Sequence, residues 1–144
     1  LVADMTIDDA DEIIPPARSA GLDTVFMVTP VTNDKRMKLI AAKTTGFIYT
    51  VSLLGVTGSR EKLSGEVAGL VKRLKKITDV PVCVGFGIST PEHAAAVAKA
   101  GADGVIIGSR IVKIIEDNLG NKEKTLSEIS AFLKDVKKAI ETID

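Results

Sequence analysis

The chain has 144 residues, of which 45% are apolar and 26% charged, a composition typical of a protein that folds around an apolar core. Its 19 basic and 19 acidic side chains balance, which argues against nucleic acid and against an anionic membrane as partners. The sequence has one cysteine and one histidine, which exclude a disulfide framework and a zinc cluster. No apolar run approaches the roughly 20 residues of a membrane span. We therefore expect a cytoplasmic protein without a metal site.

Short apolar runs rich in β-branched residues predict buried strands. They lie at 1–3, 24–29, 47–51, 82–84 and 104–107. Longer stretches with helical spacing separate them. Because a strand followed by a helix pairs in parallel with the next strand, this order predicts an α/β fold. No linker divides the sequence, so we expect residues 1–144 to form one domain.

Two proline-containing segments predict where helices begin. Thr90 is placed to cap a helix, and Pro91 takes a first-turn position that needs no N–H donor. Pro15 and Pro16 fall inside an otherwise helix-like stretch, so we expect that helix to start late or to bend there.

The last helix is predicted from apolar residues that alternate spacings of three and four. They are Leu126, Ile129, Leu133, Val136, Ile140 and Ile143. This stripe is too short to argue for a coiled coil. We expect it to pack against the sheet.

The first four residues are an apolar run that ends in a carboxylate, without an initiator methionine. Such a run is typical of the middle of a strand. We therefore expect the sequence to be the C-terminal part of a longer protein, with Asp4 at the end of a strand, where it could orient or polarise a substrate group.

Glycine-rich turns follow the last two predicted strands. Gly85 and Gly87 follow strand 82–84, and Gly108 precedes Ser109 at the start of a short helix. A phosphate oxygen can reach backbone N–H groups where no Cβ intervenes, and a helix N-terminus adds partial positive charge. In α/β barrels the loops after the last two strands commonly hold phosphate. The pattern predicts a phosphate site, whereas a dinucleotide fingerprint and a P-loop lysine are absent.

A third glycine-containing segment, 52–60, follows the predicted strand that carries Tyr49. Its length and polarity suit a lid that excludes water, and the alternative is a surface turn. Cys83 is expected to be a buried small apolar residue and His93 to face solvent. The sequence holds no pair of strand-end carboxylates that could act as general acid and base.

Four motifs together resemble the α subunit family of tryptophan synthase. They are LVAD at 1–4, VSLLGVTG at 51–58, VGFGIS at 84–89 and IIGSRIVKII at 106–115. The resemblance implies a (β/α)8 barrel, of which this chain supplies strands four to eight. It also implies a carbon–carbon lyase of tryptophan biosynthesis, which cleaves indole-3-glycerol phosphate to indole and glyceraldehyde 3-phosphate. Indole then passes to a β subunit, which carries pyridoxal phosphate, in an α2β2 assembly; this chain itself would hold no cofactor.

The resemblance further implies roles for individual residues. The phosphate-binding positions are Gly58, Gly87, Gly108 and Ser109. The walls around the indole ring are Tyr49, Phe86, Leu1 and Ile106. The supporting catalytic residues are Asp4, Tyr49 and Thr57. The principal acid/base glutamate and aspartate of the family fall outside this sequence, so we expect no lyase activity from the chain alone. Arg110 stands where many members have a small residue.

Two other functions compete with this interpretation. One is another phosphate-binding barrel, an isomerase or synthase, since such barrels share the last two loops. The other is a non-catalytic module that responds to phosphate and activates a partner subunit. The GVTG segment favours the lyase. If the sheet is incomplete, its unpaired edges predict self-association.

Overall fold

The computed structural model describes residues 1–51, 60–85 and 87–141, without the side chains of 60–64. Helices and strands alternate after a short 3-10 turn at Ala10–Glu12, and two consecutive helices end the described part of the chain. In chain order they are α1 Ile14–Ser19, β1 Met27–Val28, α2 Asp34–Lys43, β2 Ile48–Val51, α3 Arg60–Lys75, β3 Val82–Gly85, α4 Pro91–Lys99, β4 Gly104–Ile106, α5 Ser109–Asp117 and α6 Lys122–Glu141. The predicted α/β class is confirmed.

The four strands form one parallel sheet in the order β1-β2-β3-β4. Tyr49 pairs with Met27 on one side and with Cys83 on the other, and Cys83 pairs in turn with Gly104. Since the strands are parallel, their carboxyl ends share one edge of the sheet. The turns that follow β3 and β4 therefore leave the sheet at the same edge.

The predicted strand at 1–3 is wrong. Within the described residues, no strand pairs with this segment, and Leu1 is 61% exposed. The Met5 amide instead donates to the Val2 carbonyl in a turn. An apolar run becomes a strand only when it pairs with a neighbouring strand, and the turn from Val2 to Met5 leaves segment 1–3 away from the open edge of β1. The other four predicted strands are present, although the one at 24–29 contracts to Met27–Val28.

The helices bury one face of the sheet and leave the other half-exposed. In β2, buried Ile48 and Thr50 alternate with half-buried Tyr49 and Val51. The core lies between the buried strand residues and the helices. Its fully buried members include Val28, Ile48, Val82 and Val84 from the strands and Met37, Val71 and Leu74 from the helices. Tyr49 and its neighbours on the opposite face are therefore available to a ligand.

Local signals place the helix starts as expected. Pro15 and Pro16 lie in the first turn of α1, where proline is tolerated. Thr90 caps α4, because its Oγ1 accepts from the His93 amide at 3.3 Å.

Helix α6 packs mainly against α4 and α5, so the expectation that its stripe meets the sheet is wrong. Phe132 and Val136 are buried, whereas Leu126 and Leu133 are exposed. Spacing identifies an apolar face but not the neighbour that covers it, and α4 is the nearest partner here. Ile143 lies outside the described residues. Among the described helices, none combines the length and the apolar character that crossing a bilayer requires.

Candidate functional site

A cavity of about 250 Å³ opens at the carboxyl edge of the sheet. Strand β2 and the turns after β3 and β4 contribute to its wall. The residues that concern ligand binding are Tyr49, Gly87, Ile106, Gly108, Ser109 and Arg110. The structure thus brings together five of the residues that the sequence analysis assigned to the site, from segments far apart in the chain.

The turn after β3 depends on a glycine at its centre. Gly87 has φ +76°, a backbone angle that L side chains rarely adopt, and a Cβ there would meet nothing within 4 Å. His93 Nδ1 lies 3.1 Å from the Gly87 carbonyl oxygen. The same Nδ1 lies 3.5 Å from the Ser89 amide nitrogen, which can only donate, so the tautomer of His93 determines which of the two groups it bonds. Either contact ties the turn to the first helical turn of α4.

The turn after β4 leads directly into α5. Gly108 is the N-cap residue, and no side chain caps the helix. The first amides of an α-helix have no partner within the helix, so those of α5 are available to a ligand. The first turn of α5 contains no acidic residue. This end of the cavity is therefore suited to an anion.

The sequence analysis placed Gly85 only in the glycine-rich turn, yet this residue determines where the Tyr49 ring can lie. The two residues share the half-exposed face, and the ring rests against the Gly85 backbone. Strand β3 extends one residue beyond the predicted 82–84 and includes Gly85, and a glycine inside a strand often marks close approach by another group. His93 was also missed, since it was expected to face solvent and instead contacts Gly87.

Two of the proposed site residues lie elsewhere. Leu1 is exposed, and Asp4 lines a separate recess of about 230 Å³ beside Phe26 and Arg36. The expected position of Asp4 at a strand end is wrong in this structure, because segment 1–3 does not join the sheet. Thr57, Gly58 and Phe86 fall outside the described residues.

Charge and protonation at the site follow from its neighbours. Arg110 carries the only charged side chain among the described residues that line the cavity. Cys83 is half-buried rather than buried; burial and then the Asp103 carboxylate raise the pKa of its thiol, against the effect of Lys75. The thiol therefore stays protonated near neutral pH and is a poor nucleophile. No three potential metal ligands cluster within the described parts of the chain.

Parallel strands with helices between them, and a cavity at their carboxyl ends, are the arrangement of part of an α/β barrel, a class of protein in which the functional site lies at that edge. The sequence model described as "Tryptophan synthase alpha chain" matches residues 1–141. The chain belongs to the tryptophan synthase alpha chain family.

Individual relatives agree with this assignment. The alpha chain of Methanoregula boonei is 45% identical over 141 residues, which cover 98% of this chain and 53% of that one. The alpha chain of Arabidopsis thaliana is 42% identical over 140 residues, or 97% of this chain and 50% of that one.

Solved structures agree as well. A chain of the tryptophan synthase a2b2 complex from Pyrococcus furiosus superimposes with a TM-score of 0.84 at 38% identity, over 95% of this chain and 54% of that chain. The expected partial (β/α)8 barrel is therefore confirmed. The chain spans about half the length of the relatives it matches.

Proposed function

We propose that this chain supplies the phosphate- and indole-facing part of a tryptophan synthase α subunit. Such a subunit cleaves indole-3-glycerol phosphate to indole and glyceraldehyde 3-phosphate. The observation that carries the proposal is the convergence of two glycine turns, at Gly87 and Gly108, on one cavity at the carboxyl edge. Family membership is the reason for proposing this reaction, and the cavity supports the proposed location of its substrate.

The phosphate group would lie between the two turns. The amides of Gly87, Gly108 and Ser109 would donate to its oxygens, and Gly58 would add a further amide from the segment after β2. Neither Gly87 nor Gly108 has a Cβ to keep an oxygen away from the backbone. The free N-terminal amides of α5 favour a dianion at this end of the cavity.

The indole ring would lie on the half-exposed face of the sheet. Tyr49 and Ile106 line the cavity there, and Phe86 would add another apolar wall. Leu1 and Asp4 can take the roles proposed for them only when segment 1–3 pairs along the open edge of β1. That pairing would bring Asp4 to the carboxyl edge as a supporting carboxylate, together with Thr57 from the lid.

The reaction needs an acid and a base that the described lining of the cavity does not contain. Cleavage breaks the bond between indole C3 and the glycerol chain; C3 takes up a proton, and the adjacent hydroxyl loses one as it becomes the aldehyde. Two carboxylates in different protonation states suit this task. Arg110 is the only titratable side chain besides Tyr49 among the described lining residues. We therefore expect this chain alone to bind phosphate without releasing indole.

We further propose that the complete subunit assembles with a β subunit as α2β2, by analogy with the Pyrococcus furiosus complex. Pyridoxal phosphate would belong to that partner and not to this chain. Residues 1–144 would act as one domain within the barrel.

An amide-resolved titration tests the proposed site. The isotope-labelled chain is titrated with inorganic phosphate, and separately with glycerol as an uncharged control. We expect the amide resonances of Gly87, Gly108 and Ser109 to shift together with one dissociation constant. Gly21 and Gly120, which also have positive φ but do not line the cavity, are the internal controls. Unchanged resonances at the two turns, or equal shifts at the control glycines, would refute the site.

A further inference from the structure

Arg110 brings a positive charge to the cavity between the two glycine turns. It is the second residue of α5 and lines the cavity. Its guanidinium carbon lies 5.7 Å from the centre of the Phe132 ring, within the distance of a cation–π contact. Phe132 belongs to α6 and is only 8% exposed, so its ring is held by the core. The two helices together therefore restrict where the Arg110 side chain can lie.

The charge of Arg110 is not neutralised by a carboxylate of the described part of the chain, where no ion pair involves it. The acidic residues of α5, Glu116 and Asp117, lie 3.3 and 2.8 Å from Lys113 instead. Arg110 thus has no carboxylate partner among the described residues, whereas Lys113, one turn along the same helix, has two. The guanidinium keeps its N–H donors available for an anion.

We propose that Arg110 is a phosphate-binding side chain and that Phe132 is the residue that positions it. A guanidinium presents paired N–H donors that match two oxygens of a phosphate, while the glycine amides bind the same group from the backbone. The ring of Phe132 holds the guanidinium without competing for those donors. The inference rests on the proposed phosphate site, and the family resemblance does not imply it because many members have a small residue here.

The test measures the affinity of the full chain for inorganic phosphate in four variants. They are the wild type, Arg110→Gln, Phe132→Leu and the double variant. We expect Arg110→Gln to weaken binding about tenfold, as for loss of a charge-assisted hydrogen bond. Phe132→Leu should weaken it about threefold, as for loss of a cation–π contact. In the Arg110→Gln background, Phe132→Leu should have no further effect.

Lys113→Gln is the matched control, because it removes the same charge from the same helix. It should leave phosphate affinity unchanged within about twofold, since the Lys113 ammonium is already paired with Glu116 and Asp117. Arg110→Lys keeps the charge but loses the paired donors, so its affinity should lie between those of the wild type and Arg110→Gln. This variant leaves the core intact and tests the role of Arg110 even when Phe132→Leu unfolds the protein.

The outcomes separate this inference from the proposed phosphate site. If phosphate shifts Gly87 and Gly108 equally in the wild type and in Arg110→Gln, the glycine site stands and Arg110 is not part of it. If Phe132→Leu weakens phosphate binding as much in the Arg110→Gln background as in the wild type, Phe132 does not act through Arg110. If phosphate shifts neither turn in the wild type, both the site and the role of Arg110 are wrong.

Discussion

A Cβ atom at Gly85 would lie 2.6 Å from Tyr49 Oη and 2.8 Å from Tyr49 Cζ. The aromatic ring therefore occupies space that a side chain on the next strand would otherwise fill. Val51 pairs with Gly85 in the sheet, and Tyr49 lies two residues before Val51 on the same face. The missing side chain at Gly85 thus positions the ring at the cavity.

Gly85→Ala should displace the Tyr49 ring from the cavity wall. The extra methyl meets the ring directly, and overpacking of this kind lowers the free energy of unfolding by about 1–3 kcal/mol. The chain has one tyrosine and no tryptophan, so its tyrosine fluorescence reports on Tyr49 alone. We expect acrylamide to quench that fluorescence more strongly in the variant. Gly65→Ala in α3, where a Cβ meets nothing within 4 Å, is the control and should leave quenching unchanged.

Gly87→Ala should weaken phosphate binding, whereas Gly21→Ala should not. Both glycines have positive φ, +76° and +69°, and neither would place a Cβ within 4 Å of another group. Each substitution should lower the free energy of unfolding by about 1–2 kcal/mol through backbone strain alone. Only Gly87 lines the cavity. Denaturant unfolding and phosphate titration of both variants check this, and equal loss of affinity in the two would contradict the assignment of Gly87.

Asp103 lies at the edge of the sheet opposite the cavity, and its carboxylate should stabilise the fold in a pH-dependent way. Its Oδ2 accepts from the Val82 amide at 2.6 Å, and its Oδ1 lies 2.6 Å from Lys75 Nζ. Burial alone raises the pKa of Asp103, but the hydrogen bonds from Lys75 and Val82 and the charge of Lys75 outweigh it and leave the pKa below its usual value.

A carboxyl group whose pKa is lowered in the folded state stabilises that state fully at any pH above its unfolded-state pKa. This stabilisation is lost as the pH falls through the folded-state pKa. The wild type should therefore be more stable than Asp103→Asn at neutral pH, and the difference should shrink below about pH 4. Urea unfolding at both pH values measures it. Asp79→Asn, at an exposed position before β3, is the control. If the wild type and Asp103→Asn differ in free energy of unfolding by the same amount at both pH values, the carboxylate charge does not stabilise the fold.

Asn118→Asp should strongly destabilise the junction of α5 and α6. Asn118 is 6% exposed, and its Nδ2 donates to the Ile114 carbonyl and to the Glu128 carboxylate, both at 2.9 Å. Aspartate removes both donors and buries a charge beside Glu128, which should lower the free energy of unfolding by about 3 kcal/mol.

Asn121→Asp is the matched comparison for this change. Asn121 is exposed, and its Oδ1 accepts from the Lys124 amide at 3.1 Å, a role that a carboxylate can take over. A negative charge at the start of α6 is favourable, so we expect no loss of stability. Thermal unfolding of both variants checks the contrast. Similar melting temperatures for the two would show that the Asn118 hydrogen bonds contribute little.

Predictions from the sequence were most accurate where the determining interactions are local. The strands at Ile48–Val51 and Val82–Gly85 were predicted to within one residue because β-branched apolar runs were bounded by turns. Thr90 capped α4 as expected, since its partner lies three residues away. The glycine turns were recognised for a similar reason, because the chain order of strand, glycine and helix already places them at one edge.

The amino-acid sequence by itself therefore determined the α/β class, the parallel order and the glycines at the carboxyl edge, because propensity, capping and turn chemistry act over a few residues. Only the tertiary structure decided that segment 1–3 stays unpaired, that α6 packs on α4, and that Phe132 meets Arg110. Each of these depends on which distant groups become neighbours, and spacing along a chain contains no such information. Contacts across the fold select among the arrangements that local preferences allow.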